Sequence, residues 1–208
     1  AGASAPPPAC LADPAPPARR PRVHRPSDAV TTAGGGGATE RRAALAVGTH
    51  VHRLLERLPP VAQEERERAL DLALAASAEL DDALRARVRR QVLATLAQPE
   101  LAPLFGPDAW AEQPVVGEVD GERVVGTVDR MAVVGDELWL ADFKTGRPPT
   151  PGEPMPAAYA RQLAAYARVL QPLFAECAVR PRLVWCETGA VQRLGEPAPA
   201  MPVGGGVD

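Results

Sequence analysis

The sequence predicts an α/β protein in which a mixed β-sheet is covered by helices on both faces. Apolar residues recur at helical spacing through residues 39–98, whereas residues 110–146 hold apolar runs separated by Asp-Gly and Gly-Asp pairs, which are typical of strands joined by turns. A helical pattern at 157–174 and an apolar stretch at 181–187 follow. We therefore expect three helices, three strands, a helix and one or two further strands.

Composition limits the class of protein. The 208 residues suffice for one domain of ordinary size with flexible ends, and the net charge of −3 argues against a freestanding nucleic-acid binder. That charge does not exclude an active site supplied with DNA by a neighbouring domain. No apolar run approaches the ~18–20 residues of a membrane span, and the first 40 residues lack a signal-peptide core.

The three cysteines, Cys10, Cys177 and Cys186, have no paired spacing. They do not suggest a disulfide framework or a four-thiolate metal or iron–sulfur site, so we expect a reducing cytoplasm. The chain does not begin with methionine, so we expect it to be a piece of a longer protein.

The chain ends are predicted to be flexible. Residues 1–38 are rich in Pro, Ala and Gly and are expected to form a disordered linker. Residues 196–208 are expected to form a flexible tail for the same reason. The folded domain is therefore predicted to span residues 39–195.

The first helix is predicted to be capped by Thr39 and stopped by Pro59-Pro60. His50 and His52 lie well apart around it, so we do not expect them to bind one ion together, and periodicity does not decide which of them faces the core. Two further helices are predicted at 61–78 and 80–98, before prolines and a glycine at 99–107 break the pattern.

The segment 126–146, GTVDRMAVVGDELWLADFKTG, predicts a β-hairpin. If the Gly-Asp pair at 135–136 is the turn, counting outward sets Asp129 opposite Asp142. A four-residue turn gives the same pairing, whereas a three-residue turn does not. Lys144 points to the same face as Asp142 because side chains alternate along a strand.

Two facing carboxylates repel each other, and a divalent cation such as Mg²⁺ or Mn²⁺ would remove that repulsion. The alternative is a buried ion pair between Asp142 and Lys144, with Asp129 exposed at a frayed strand end. Lys144 is the only lysine among 23 basic Lys and Arg residues, so a lysine retained at this position favours a chemical role.

The remaining elements surround this hairpin. Strands are expected at 110–116 and 123–134, with turn chemistry at 118–121, and the prolines of 147–156 require an irregular loop. The helix at 157–174 carries Gln162 and Tyr166 on one face, at i and i+4. A last strand is expected at 181–187, with 191–194 as its partner.

Four short blocks occur in the order found in a known family: GTHVH at 48–52, GTVDR at 126–130, DFKTG at 142–146 and QLAAY at 162–166. On these blocks the chain resembles the PD-(D/E)XK nucleases, and within them the C-terminal nuclease domain of AddA/RecB-type helicase–nucleases. The blocks span most of residues 40–187. The resemblance implies a restriction-endonuclease-like mixed sheet flanked by helices, with an N-terminal helical region.

The resemblance also implies roles for individual residues. His52, at the fifth position of G-x-x-x-H, is implied as a metal ligand together with Asp129, Asp142 and the backbone carbonyl of Phe143. Lys144 of the D-x-K is implied as the catalytic lysine, acting with the two aspartates. The implied cofactor is one or two Mg²⁺ or Mn²⁺ ions. Relatives with an iron–sulfur cluster use four cysteines, so none is expected here.

Substrate contacts are expected around these residues. The Q-x-x-x-Y block implies that Gln162 and Tyr166 line the site and help to hold substrate or the catalytic lysine. Arg130 and Arg147 are candidates for binding the DNA backbone, although each is as readily explained as a structural or solvated residue.

The expected function is therefore metal-dependent DNA hydrolysis in a helicase–nuclease that processes double-strand ends in recombinational repair. The expected partners are DNA, a helicase motor domain of the same longer chain and a partner subunit. A catalytically silent module for DNA guiding or docking is the alternative, but it would have no reason to keep Asp129, Asp142 and Lys144 together. An unrelated α/β domain is disfavoured by the lone lysine. The chain carries no Walker-type GxxxxGK[ST], and hence no ATP motor of its own.

Overall fold

The computed structural model describes residues 23–24 and 37–198. Within them, a six-stranded mixed sheet has helices packed on both faces. The strands are β1 (Val23–His24), β2 (Trp110–Val119), β3 (Glu122–Val134), β4 (Glu137–Lys144), β5 (Ala178–Trp185) and β6 (Ala190–Arg193). The α-helices are α1 (Ala38–Arg57), α2 (Arg66–Ala75), α3 (Asp82–Leu96) and α4 (Ala157–Leu170). The predicted α/β class and order of elements are confirmed, with β1 in addition.

The β3–β4 hairpin has the predicted register. Its pairs run from Val134↔Glu137 to Arg130↔Ala141, so the turn is the Gly-Asp pair at 135–136. The next position outward would set Asp129 against Asp142. β2 pairs antiparallel with β3, β5 runs parallel to β4, and β6 returns antiparallel to β5.

Each face of the sheet has its own core. On one face, the helices α1, α2 and α3 pack against the sheet; buried members of this cluster include Val47, Val51, Val88, Val92, Phe143 and Val184. On the other face, α4 covers the sheet; this cluster includes Val128, Leu138, Leu140, Leu163, Tyr166 and Leu183. Alternation along β4 therefore carries Asp142 and Lys144 onto the α4 face, in line with Leu138 and Leu140.

The helical region before the sheet differs from prediction in its details. α1 begins before Thr39 because the Glu40 carboxylate accepts the N–H of Gly37 at 3.1 Å, which supports an earlier start. The predicted helix at 61–78 is divided, since a 3₁₀ turn at Gln63–Glu65 precedes α2. The α-helical pattern ends at Leu96, before the prolines as predicted, but Pro99–Phe105 then forms a 3₁₀ helix with Pro99 in its first turn, where a missing N–H costs little.

Strand ends and the end of α4 also differ. β2 extends to Val119 because Asp120 and Gly121 adopt φ of 54° and 78° and make a two-residue turn that continues the ladder. α4 ends at Leu170 and not at 174, since Pro172 has no N–H to continue a helix. β5 begins at Ala178, before the predicted 181, and ends at Trp185.

The predicted linker and tail lie mostly outside the described residues. Within the predicted linker, β1 pairs in parallel with β3 through Val23↔Arg123 and His24↔Val124. At the start of the predicted tail, Pro197 bridges to Pro154 and Ala198 is buried. In the described part of the chain, no helix is long and apolar enough to cross a membrane.

Candidate active site

A cleft of about 500 Å³ collects residues from all four sequence blocks. Its polar lining is formed by His52 of α1, Thr127 and Asp129 of β3, Asp142 and Lys144 of β4, and Gln162 of α4. Its other wall is the outer face of the β2–β3 hairpin, which is apolar; the lining residues there are Pro114, Val116 and Val125. Segments distant in sequence thus place their polar side chains around one space.

Lys144 and Asp142 form one half of the cleft. The lysine Nζ lies 2.6 Å from Oδ2 of Asp142, and their side chains are 16% and 5% exposed. Gln162 donates from Nε2 to Oδ1 of Asp142 at 2.9 Å, and its Oε1 lies 3.4 Å from the lysine Nζ. Burial raises the pKa of Asp142 to about 6, against the opposing charge of Lys144. Burial alone would lower the pKa of Lys144, but the charge of Asp142 outweighs it and the pKa is raised.

Asp129 and His52 form the other half. Nδ1 of His52 lies 3.2 Å from Oδ1 of Asp129, and the second oxygen of Asp129 accepts the backbone N–H of Phe143 at 2.6 Å. Burial opposes the imidazolium charge, but the hydrogen bond to Asp129 and the nearby negative charges raise the pKa of His52. This half is more open, because the His52 side chain is 33% exposed.

Glu112 is a further member of this half that the sequence analysis did not identify. Ligand atoms of His52, Glu112 and Asp129 all lie within 4.8 Å of one another. The β2–β3 ladder pairs the residues on either side of Glu112 and Asp129 but not these two. Glu112 also has a φ of 48°, a left-handed conformation that is uncommon outside glycine. Burial and the charge of Asp129 raise the pKa of its carboxyl.

These residues fit a divalent metal ion. One imidazole and two carboxylates within reach of one point form a donor set suited to Mg²⁺ or Mn²⁺, and the carboxylate of Asp142 lines the same cleft.

Glu112 has no sequence signal of its own. Its backbone break does not involve glycine or proline, and its spacing from Asp129 matches no ligand pattern.

His50 is directed elsewhere. Its Nδ1 lies 3.0 Å from the carbonyl oxygen of Ala46, and its Nε2 lies 3.2 Å from the Glu79 carboxylate. It lines a different pocket, between α1 and the end of α2, with Arg53 and Arg57. Of the two histidines in GTHVH, the structure therefore brings only His52 to the carboxylates.

Two glycines of the blocks allow close packing at the site. A Cβ on Gly126 would lie 2.1 Å from the hydroxyl oxygen of Tyr166, so the first residue of GTVDR leaves room for the last residue of QLAAY. Tyr166 is fully buried, lies outside the cleft lining and packs from α4 against Gly126 of β3. A Cβ on Gly48 would lie 3.4 Å from Oγ1 of Thr145, so α1 packs closely against the end of the DFKTG block.

The two candidate DNA-binding arginines lie outside the cleft lining. Arg130 is only 4% exposed, and its guanidinium donates to the carbonyl oxygens of Leu55 and Glu56 at 2.6 and 2.9 Å. Those contacts tie β3 to the end of α1 and favour the structural alternative for Arg130. Arg147 lines a separate pocket of about 450 Å³ in the proline-rich loop.

Of the comparisons with known proteins, the match to a family model is the one that identifies a family. One matching solved structure, the crystal structure of SSO0001, shares 17% sequence identity over 78% of this chain and 79% of that chain, with a TM-score of 0.35, too low to support any conclusion. No curated protein sequence matches significantly. The family model of the PD-(D/E)XK nuclease superfamily matches residues 29–198, and those residues include all four blocks and the whole cleft. The chain belongs to the PD-(D/E)XK nuclease superfamily.

Proposed function

We propose that this domain hydrolyses DNA phosphodiester bonds with a divalent metal ion as cofactor. One observation carries the proposal: His52, Asp129, Asp142 and Lys144 converge on a single cleft although they come from three separate elements. Membership of a nuclease superfamily supplies the reaction class. A silent module would have no need for a buried lysine beside two carboxylates, because removing these charges from water costs free energy that their mutual attraction can fail to offset.

His52, Asp129 and Asp142 would hold the metal, and Glu112 is added to them by its position. The backbone carbonyl of Phe143 remains a ligand proposed from the family resemblance. The backbone N–H of the same residue donates to the Asp129 carboxylate at 2.6 Å. A bound divalent cation supplies charge to polarise the phosphodiester and lowers the pKa of a coordinated water.

The chain's own contribution is to place the ammonium group of Lys144 beside the phosphate. Lys144 is held by Asp142 and directed into the cleft, where its ammonium can stabilise the charge that develops on the phosphate oxygens or orient the attacking water. Gln162 contacts both Asp142 and Lys144, so it sets the distance between the carboxylate and the ammonium.

For the cellular role, we propose the nuclease domain of a helicase–nuclease that processes double-strand DNA ends in recombinational repair. This role rests on the resemblance of the four blocks to AddA/RecB-type enzymes. It predicts a helicase motor in the same longer protein and a partner subunit, and the net charge of −3 does not exclude a domain that receives DNA from such a motor.

The test uses labelled single-stranded and double-stranded DNA with the purified chain in Mg²⁺, Mn²⁺ or EDTA. We expect cleavage with metal, none in EDTA, and none from the matched variant Asp142→Asn. DNA binding without cleavage under every metal condition would favour the silent module. Cleavage by Asp142→Asn at the wild-type rate would show that the activity does not come from this cleft.

A further inference from the structure

Tyr159, on α4, places its ring against the lysine. The ammonium nitrogen of Lys144 lies 4.8 Å from the centroid of this ring. The ring is itself fixed, because it meets Trp185 of β5 edge to face with the centroids 5.7 Å apart. Trp185 is buried, so the aromatic pair is anchored in the core on the α4 side of the sheet.

Lys144 needs such a support. A lysine side chain has a flexible four-carbon stem, and holding its ammonium in one place has an entropic cost. Its close polar contact is Asp142 at 2.6 Å, while Gln162 lies 3.4 Å away, at the long limit of a hydrogen bond. Asp142 lines the same cleft, so its attraction for the lysine weakens when a metal cation shares its charge. The face of an aromatic ring attracts a cation within ~6 Å of its centroid and does not compete for the metal.

We infer that Tyr159 is a positioning residue for Lys144: its ring face, backed by Trp185, holds the ammonium in the cleft when the Asp142 carboxylate is engaged elsewhere. This inference rests on the proposed function for its effect on catalysis. Tyr159 is absent from the cleft lining among the described residues, so it acts through the lysine and not on the substrate. The contact uses the ring face, so the hydroxyl group is not required.

The chain offers a direct spectroscopic test, because Lys144 is its only lysine. Growth with ¹³C-labelled lysine gives one lysine spin system, and protons above an aromatic face resonate upfield. We expect upfield ε-methylene signals in the wild type and in Tyr159→Phe, and signals near the free-lysine position in Tyr159→Leu. Unchanged ε-methylene signals in Tyr159→Leu would overturn the inference.

Kinetics supply the second readout. A cation–π contact of the usual strength predicts that Tyr159→Leu lowers kcat by about 2- to 30-fold with KM unchanged, and that Tyr159→Phe keeps the wild-type kcat. The matched control is Phe174→Leu, which removes an aromatic ring that packs on Trp110 with 6.3 Å between centroids. This control should leave kcat and the lysine signals unchanged. A loss in Tyr159→Phe as large as in Tyr159→Leu would contradict a role for the ring face.

If Tyr159→Leu does not fold, a trifluorinated phenylalanine at position 159 keeps the size of the ring and removes the negative potential of its face. The same fall in kcat is then expected, and wild-type kcat would overturn the inference. The two proposals fail separately. If no variant cleaves DNA, the lysine signals still test the contact; if the signals do not depend on Tyr159, cleavage by the wild type still supports the nuclease.

Discussion

Asp142 and Asp129 are aspartates on adjacent strands of one cleft, but their surroundings differ. Asp142 is only 4% exposed and is bound within the protein by Lys144 and Gln162. Asp129 shares its half of the cleft with His52 and Glu112, whose side chains reach solvent and whose ligand atoms cluster within 4.8 Å. The first half lies on regular β4 and α4, and the second lies where the β2–β3 ladder is interrupted.

This difference indicates a division of tasks. The internally paired half positions a charged lysine before any ligand arrives, which is what a catalytic group requires. The open half leaves an imidazole and two carboxylates with ligand atoms within 4.8 Å of one another, close enough to share a cation. Irregular backbone at such a place is typical of functional sites, because it redirects side chains that a regular ladder would keep apart.

The largest expected effect is at the lysine. Lys144→Arg keeps the charge but should lower the cleavage rate by about 10²- to 10³-fold, because the planar fork of arginine places its donors where the compact ammonium of lysine does not. Rates at saturating Mg²⁺, with DNA binding measured separately, check this. Arg90→Lys, on the exposed face of α3, is the control swap and should have no effect. Near-equal cleavage rates for Lys144→Arg and the wild type would mean that Lys144 serves only as the partner of Asp142 in a structural ion pair.

The next effect separates the two histidines. At subsaturating Mn²⁺, His52→Ala should slow cleavage by about 10- to 100-fold, as is usual when a group that holds or orients a metal is lost. His50→Ala is the matched control from the same helix and should cleave like the wild type, since its contacts are with Ala46 and Glu79. An equal or larger loss of cleavage rate in His50→Ala would mean that His52 is not the residue that the GTHVH block contributes to the metal site.

A stability measurement tests the paired half. In EDTA at pH 7, Asp142→Ala should lower the free energy of unfolding by about 3 kcal/mol, because it leaves a mostly buried ammonium without its partner. Glu112→Ala should stay within ~0.5 kcal/mol, since it removes an exposed side chain. Urea unfolding of both variants checks this. Greater stability for Asp142→Ala would mean that repulsion between the carboxylates outweighs the ion pair.

The smallest expected effect is at Glu112. Glu112→Gln keeps the shape of the side chain and removes its charge, so it should weaken Mn²⁺ affinity by several-fold, less than the loss of His52. Mn²⁺ binding isotherms for Glu112→Gln and His52→Ala check which variant loses more affinity. Affinity equal to the wild type would exclude Glu112 from the ligand set.

Much of this arrangement was predictable from the sequence, for physical reasons that are local. The Gly-Asp turn sets the β3–β4 register, and strand alternation places Lys144 beside Asp142. The position of Glu112 was not predictable, because it depends on an interruption of the β2–β3 ladder and on a left-handed backbone conformation at Glu112 itself. No glycine next to it in the sequence indicates that conformation. The burial of Arg130 was not predictable either, because it depends on hydrogen bonds to carbonyl oxygens at the end of α1, about 75 residues away in the chain.

The most direct test of the division is a calorimetric Mn²⁺ titration of the wild type, His52→Ala and Lys144→Met in the absence of DNA. If the open half together with Asp142 holds the cation and Lys144 supplies the chemistry, His52→Ala should lose at least about tenfold in affinity. Lys144→Met should bind Mn²⁺ as tightly as the wild type or more tightly, because a nearby positive charge is gone, and yet fail to cleave DNA. Wild-type Mn²⁺ affinity in His52→Ala, or loss of binding in Lys144→Met alone, would contradict this account.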